Sequence, residues 1–162
     1  MGQVRERSIP LYDGHLCAGH LLVWTWRKMV GGHGECPMLT REYDRFAGMR
    51  ADALLAAFAT FLLLLGRGSR RVLNVGPPHC AGLTADEERM LRLIAAAQAG
   101  EGELAAAHLT WLVRREAQEG VMQTVEKLAE ALTKAGVILP PVHTYTPAPS
   151  ATLDRMSAQG WI

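Results

Sequence analysis

The run Ala53–Gly66, ALLAAFATFLLLLG, decides the fold, because an apolar stretch of this kind either spans a membrane or forms the centre of a helical core. About fourteen residues rise roughly 21 Å as a helix, short of a hydrocarbon layer roughly 30 Å thick. Leu54, Phe58, Phe61, Leu62 and Leu65 recur at helical spacing, and the other faces are apolar too. The pattern predicts a central core helix from Met49 to Leu65, surrounded by other helices.

Upstream, Leu16–Trp26 is apolar on nearly every face, which predicts another enclosed helix from about Asp13 to Val30. Asp13 is its expected N-cap. Arg27 and Lys28 suit the negative end of its dipole, and Gly31-Gly32 stops it. After the loop HGECPML, Thr40 is expected to open a second helical region. There REYDRFAG is amphipathic, with Glu42 and Asp44 read as solvated, and the region bends near Gly48.

Downstream, Leu83-Thr-Ala-Asp-Glu87 is a capping box, with Thr84 as N-cap and Glu87 reaching back to it. This helix runs to Gly100. The next, about Gly102 to Ala117, places Leu104, His108, Trp111, Leu112 and Arg115 on a stripe expected to face inward, where His108 and Trp111 could line a pocket. A last helix, Gly120 to Ala135, alternates Val121, Val125, Leu128 and Leu132 with charged residues. Val72–Val75 alone has strand character, with Val137–Leu139 as a candidate partner in a two-stranded patch, the alternative being that both are extended loop. The expected architecture is a mainly α, irregular bundle of about five helices with at most a minor two-stranded extended patch. Residues 1–139 form a single helical domain. A proline-rich tail, 140–162, docks on the domain or on a second subunit.

Composition narrows the function classes. The chain of 162 residues is 49% hydrophobic and 20% charged, which predicts an ordered globular protein. A net charge of +1 argues against a nucleic-acid or polybasic membrane binder. Three cysteines do not make a disulfide framework, and the reading is cytoplasmic. MGQVRERSIPLYDGH holds no run of signal-peptide length, and Glu6 stands where myristoylation needs Ser or Thr.

The densest soft chemistry is Cys17-x2-His20 followed by His33-x2-Cys36. Thiolate and imidazole are the donors that zinc prefers, and iron or haem is a further candidate through Cys36-Pro37. If the first helix is one rod, however, His20 and His33 stand about 20 Å apart along it, so a single tetrahedral ion within one chain would require a break near Thr25, the alternatives being a site shared between subunits or one pair joined by His79 and Cys80. Packing is the expected role of these residues, with no cofactor. Arg67, Arg70 and Arg71, in GRGSRR, form a candidate anion site, set against arginines that simply follow a helix C-terminus. His79-Cys80 is a conceivable nucleophile pair without an orienting acid. No nucleophile elbow, HExxH, dinucleotide fingerprint or CxxC is present, so an enzyme is not expected.

The segment LTADEERMLRLIAAAQAGEGELAAAHL, residues 83–109, resembles the opening of the helix-turn-helix output domains of bacterial response regulators, which begin LT-x2-E and run through a leucine-rich first helix. That resemblance implies DNA binding through a basic recognition helix to follow. Here only Arg114 and Arg115 end the next helix, and the one after it mixes Glu with Lys. The sequence reading is therefore a soluble, non-enzymatic binding or interaction protein, expected to be a homo-oligomer with a protein or small-molecule partner. A Cys/His metal or haem regulator is the alternative, and a helix-turn-helix transcription regulator the third reading.

Overall fold

The computed structural model describes residues 14–78 and 82–139. Six α-helices form among them, and the protein is a mainly α helical bundle. The first, α1 (Gly14–Val30), buries Leu21, Leu22, Val23, Trp24 and Trp26, so almost its whole circumference is enclosed. It ends where Gly32 adopts φ +80°, a left-handed conformation that glycine takes without steric cost. The His33 amide then donates back to the Lys28 carbonyl at 2.8 Å.

Helix α2 (Pro37–Ala47) starts three residues earlier than the expected Thr40. Pro37 is the reason, since its fixed φ suits the first turn and its missing N–H would have been unsatisfied there anyway. The expected bend at Gly48 is present. Its φ of +54° introduces one 3-10 turn, Gly48–Arg50, before α3 (Ala51–Gly68). By length and composition alone, the continuous run Pro37–Gly68 is apolar enough to cross a membrane. Within the bundle, however, α3 turns Leu54, Phe58, Phe61, Leu62 and Leu65 into the core.

The remaining helices are α4 (Ala85–Gln98), α5 (Gly102–Leu112) and α6 (Gln118–Lys134). Helix α6 packs on both α3 and α4, while α4 also packs on α5, so the core runs through all of them. The C-terminal end of α3 lies against the segment after α5. A Cβ on Gly68 would stand 2.7 Å from the Ala117 Cβ, and the Arg114 amide donates to the Gly68 carbonyl at 2.8 Å. Only glycine permits that approach.

The limit of at most a minor extended patch holds: among the described residues the two segments are extended loop, and a single antiparallel bridge, Ser69 with Val113, is the only ladder contact. Val72–Val75 instead sends its polar backbone to α4: the Asn74 amide donates to Asp86 Oδ2 at 2.7 Å, and the Asn74 carbonyl accepts from Thr84 Oγ1. Val137–Leu139 is held by the Gln98 amide, which donates to the Val137 carbonyl at 2.7 Å and accepts from the Leu139 amide at 2.8 Å. A side-chain amide has taken the place of a partner strand.

Two other expectations need correction, the first being α5, which ends at Leu112 rather than near Ala117. Its inward stripe is Ala105, Leu109 and Leu112, with Leu104 and Trp111 on the outside. The second is Glu42, which is buried rather than solvated, while Asp44 is exposed as expected. Asp13 and the tail 140–162 lie outside the described residues.

Candidate functional site

The site is built on α4, whose start is fixed by an interlocking set of polar bonds. The expected capping box is present: the Glu87 amide donates to Thr84 Oγ1 at 3.1 Å, and the Thr84 amide donates to Glu87 Oε2 at 2.8 Å. Glu87 does more than cap. Its fully buried carboxylate also receives Arg27 Nε at 2.7 Å, Arg27 Nη2 at 2.8 Å and the Gly76 amide at 2.9 Å. Burial alone would raise the Glu87 carboxyl, but the Arg27 fork and the Thr84 and Gly76 amides outweigh it and hold it below its usual range. Arg27 Nη2 additionally donates to the Gly82 carbonyl at 2.7 Å. One guanidinium thus ties α1 to α4 and to the connection before it.

Asp86 makes a second fork. Arg71 donates to its two oxygens at 2.7 and 2.8 Å, and this pairing, with the Asn74 amide, holds the Asp86 carboxyl below its ordinary range against the effect of burial. The candidate anion arginines are therefore dispersed. Arg71 is on Asp86, Arg70 Nε donates to the Val113 carbonyl at 3.2 Å, and Arg67 is an exposed residue in the last turn of α3.

With α4 held in this way, Glu88, Arg89 and Arg92 share the face of α4 that looks toward α5, as spacings of three and four require. They meet His108 and Trp111, one turn apart on α5, around a cleft of about 310 Å³. The Arg89 guanidinium lies over the Trp111 ring, 4.9 Å from its centroid, while the indole remains 66% exposed. Arg92 forms an ion pair with Glu88. His108 is half-buried. Its burial, and then the charges of Arg92 and Arg89, hold the imidazole below its ordinary value, so it is neutral at pH 7. Two guanidiniums, a neutral imidazole and an open indole can bind an anion and stack a planar group.

The Cys/His residues are arranged differently. Helix α1 is unbroken through Thr25, whose hydroxyl donates to the Leu21 carbonyl and pairs with the Tyr43 hydroxyl. His33 lies past the C-terminal end of this rod, where its amide caps the Lys28 carbonyl, so it stays more than about two turns from His20 along the axis. His33 and Cys36 border a second cleft, of about 410 Å³, with Lys28 and Glu35. The side chain of Cys17 lies outside the described residues, as do His79, Cys80 and His143. No group of three or more His, Cys, Asp or Glu among the described residues is placed to hold a metal ion.

Sequence reasoning connected His108 with Trp111 but missed Arg89 and Arg92, whose approach depends on how α4 and α5 cross. It also gave Arg27 a dipole role and missed its partner sixty residues away. In the segment that resembles a helix-turn-helix opening, α4 and α5 are followed by α6, whose exposed charges are Glu119, Glu126, Lys127, Glu130 and Lys134, an acidic balance. No protein-family model, no curated protein and no solved structure matches the chain.

Proposed function

We propose that this chain is a soluble, non-enzymatic binding protein whose ligand site is the α4–α5 cleft and whose ligand is a small anion. One observation carries the reading: Arg89 lies on the open indole of Trp111, in the same cleft as Arg92 and His108. Arginine forks are well matched to carboxylates and phosphates, and a half-enclosed site strengthens each hydrogen bond relative to bulk water. Binding is favoured over turnover because the cleft lining contains no serine, cysteine or threonine nucleophile, and its carboxylate, Glu88, is occupied by Arg92. A cytoplasmic setting accords with the few cysteines.

The test is a panel of acetate, benzoate and inorganic phosphate titrated into the full chain, with the Trp111 indole and His108 imidazole signals followed by NMR. At least one anion should move both signals saturably, and Trp111→Ala should abolish the shift of the His108 signal. If no anion moves either signal, this reading fails.

The chain is further proposed to pair with a second copy through the outer side of α3. Ala53, Ala56, Thr60 and Leu63 form an exposed stripe on that apolar helix, with Leu63 53% exposed. An apolar stripe of this kind suits a two-fold contact. Sedimentation at micromolar concentration should give twice the chain mass, falling to one chain mass in Leu63→Glu. A wild-type mass near one chain removes the dimer.

A further inference from the structure

We infer that the α4–α5 cleft selects an aromatic monoanion, a planar ring carrying one carboxylate, over both aliphatic anions and dianions. This rests on the reading that the cleft is the ligand site and adds the class of ligand. Charge comes first. Arg89 and Arg92 supply two positive charges and Glu88 one negative, so the lining carries a single net positive charge while His108 is neutral. One carboxylate balances that charge. A dianion would leave the half-enclosed site with a net negative charge, set against Glu88.

Shape points the same way. Among the described residues Trp111 is a large aromatic left open to solvent while Trp24, Trp26, Tyr43, Phe58 and Phe61 are buried, and Arg89 covers only part of it. Exposed indole surface beside a guanidinium favours a planar partner, which stacks on the ring while its carboxylate reaches the arginines. The cavity of about 310 Å³ is at the small end of ligand sites, suited to a single substituted ring rather than a dinucleotide. The Glu88–Arg92 ion pair holds one fork in place before the ligand arrives, which lowers the ordering cost on binding.

The experiment is calorimetric titration of the full chain at pH 7.5 with benzoate, acetate, benzyl alcohol and phenyl phosphate. Benzoate should bind, with acetate and benzyl alcohol each at least about tenfold weaker and phenyl phosphate weaker than benzoate, since removing either the stack or the charge is worth roughly one decade. Arg89→Gln and Trp111→Ala, checked for unchanged helical content, should each weaken benzoate about tenfold or more. If acetate or phenyl phosphate binds as tightly as benzoate through these residues, the cleft is a plain anion site; the selectivity is then overturned while the proposed function stands. If no probe binds, both fall together.

Discussion

Glu87 and Glu42 are both buried glutamates on helices of the same bundle, yet their surroundings are opposite. Glu87 accepts from Arg27, Gly76 and Thr84, so each carboxylate oxygen has donors. Glu42 is 1% exposed, its Oε2 has no hydrogen-bond partner, and the Arg45 guanidinium is 4.0 Å away. Burial therefore raises the Glu42 carboxyl, with Arg45 and Arg41 only partly opposing it, whereas Glu87 is held low. The difference teaches that burial alone does not fix what a carboxylate contributes. Converging donors make Glu87 a clamp, and their scarcity leaves Glu42 a cost that the fold carries.

The largest expected effect comes from breaking the clamp. Arg27→Met leaves the Glu87 charge buried without its fork, and urea unfolding at pH 7 should show a loss of about 3–5 kcal/mol. A loss below about 1 kcal/mol would mean that the pair is structurally incidental. A smaller loss, about 1–2 kcal/mol, is expected for Gly76→Ala, because the new Cβ would lie 3.0 Å from Arg27 Nη2 and push the fork off its seat. Its size relative to Arg27→Met measures how far the clamp can shift before it fails.

Glu42→Gln tests the other half of the comparison. A carboxyl raised on folding contributes stability that is complete below its unfolded value and is lost as pH rises through its folded value. Glu87 and Asp86 behave in the opposite sense, since their depressed values contribute stability above the unfolded range that is lost on acidification. Between pH 4 and pH 8, Glu42→Gln should therefore gain on the wild type as pH rises, by about 1 kcal/mol at the upper end. Parallel profiles for the two proteins would contradict the burial assigned to Glu42. Smallest of all is the effect of Trp111→Ala on stability, within about 0.5 kcal/mol, because the indole is mostly exposed. A large loss would place Trp111 in the core and remove it from a ligand site.

These contrasts also separate what could be read from the sequence from what could not. The Thr84–Glu87 box was legible because its chemistry is complete within four residues, and Gly48 was legible because a left-handed conformation is a local demand. The core helix was legible because Leu54, Phe58, Phe61 and Leu65 repeat at its own period. Glu42 misled because Arg41, Asp44 and Arg45 around it have the polarity of a surface helix, and only the packing of α2 decides which of them turns inward. Val72–Val75 looked like a strand, but the Asn74 amide, and that of Gly76 just beyond it, meet the carboxylates of α4 rather than a partner strand. The candidate site was half legible. His108 and Trp111 share a helix and therefore a spacing, while the arginines opposite them share only a crossing geometry that no spacing records.

The α4–α5 cleft as a ligand site is tested most directly by a crystal structure determined with sodium benzoate present. The expected result is a ring stacked on Trp111, with its carboxylate within hydrogen-bond reach of Arg89 or Arg92. Benzoate seated instead beside His33 and Cys36, or absent with the Arg89–Trp111 contact unchanged, would contradict the assignment.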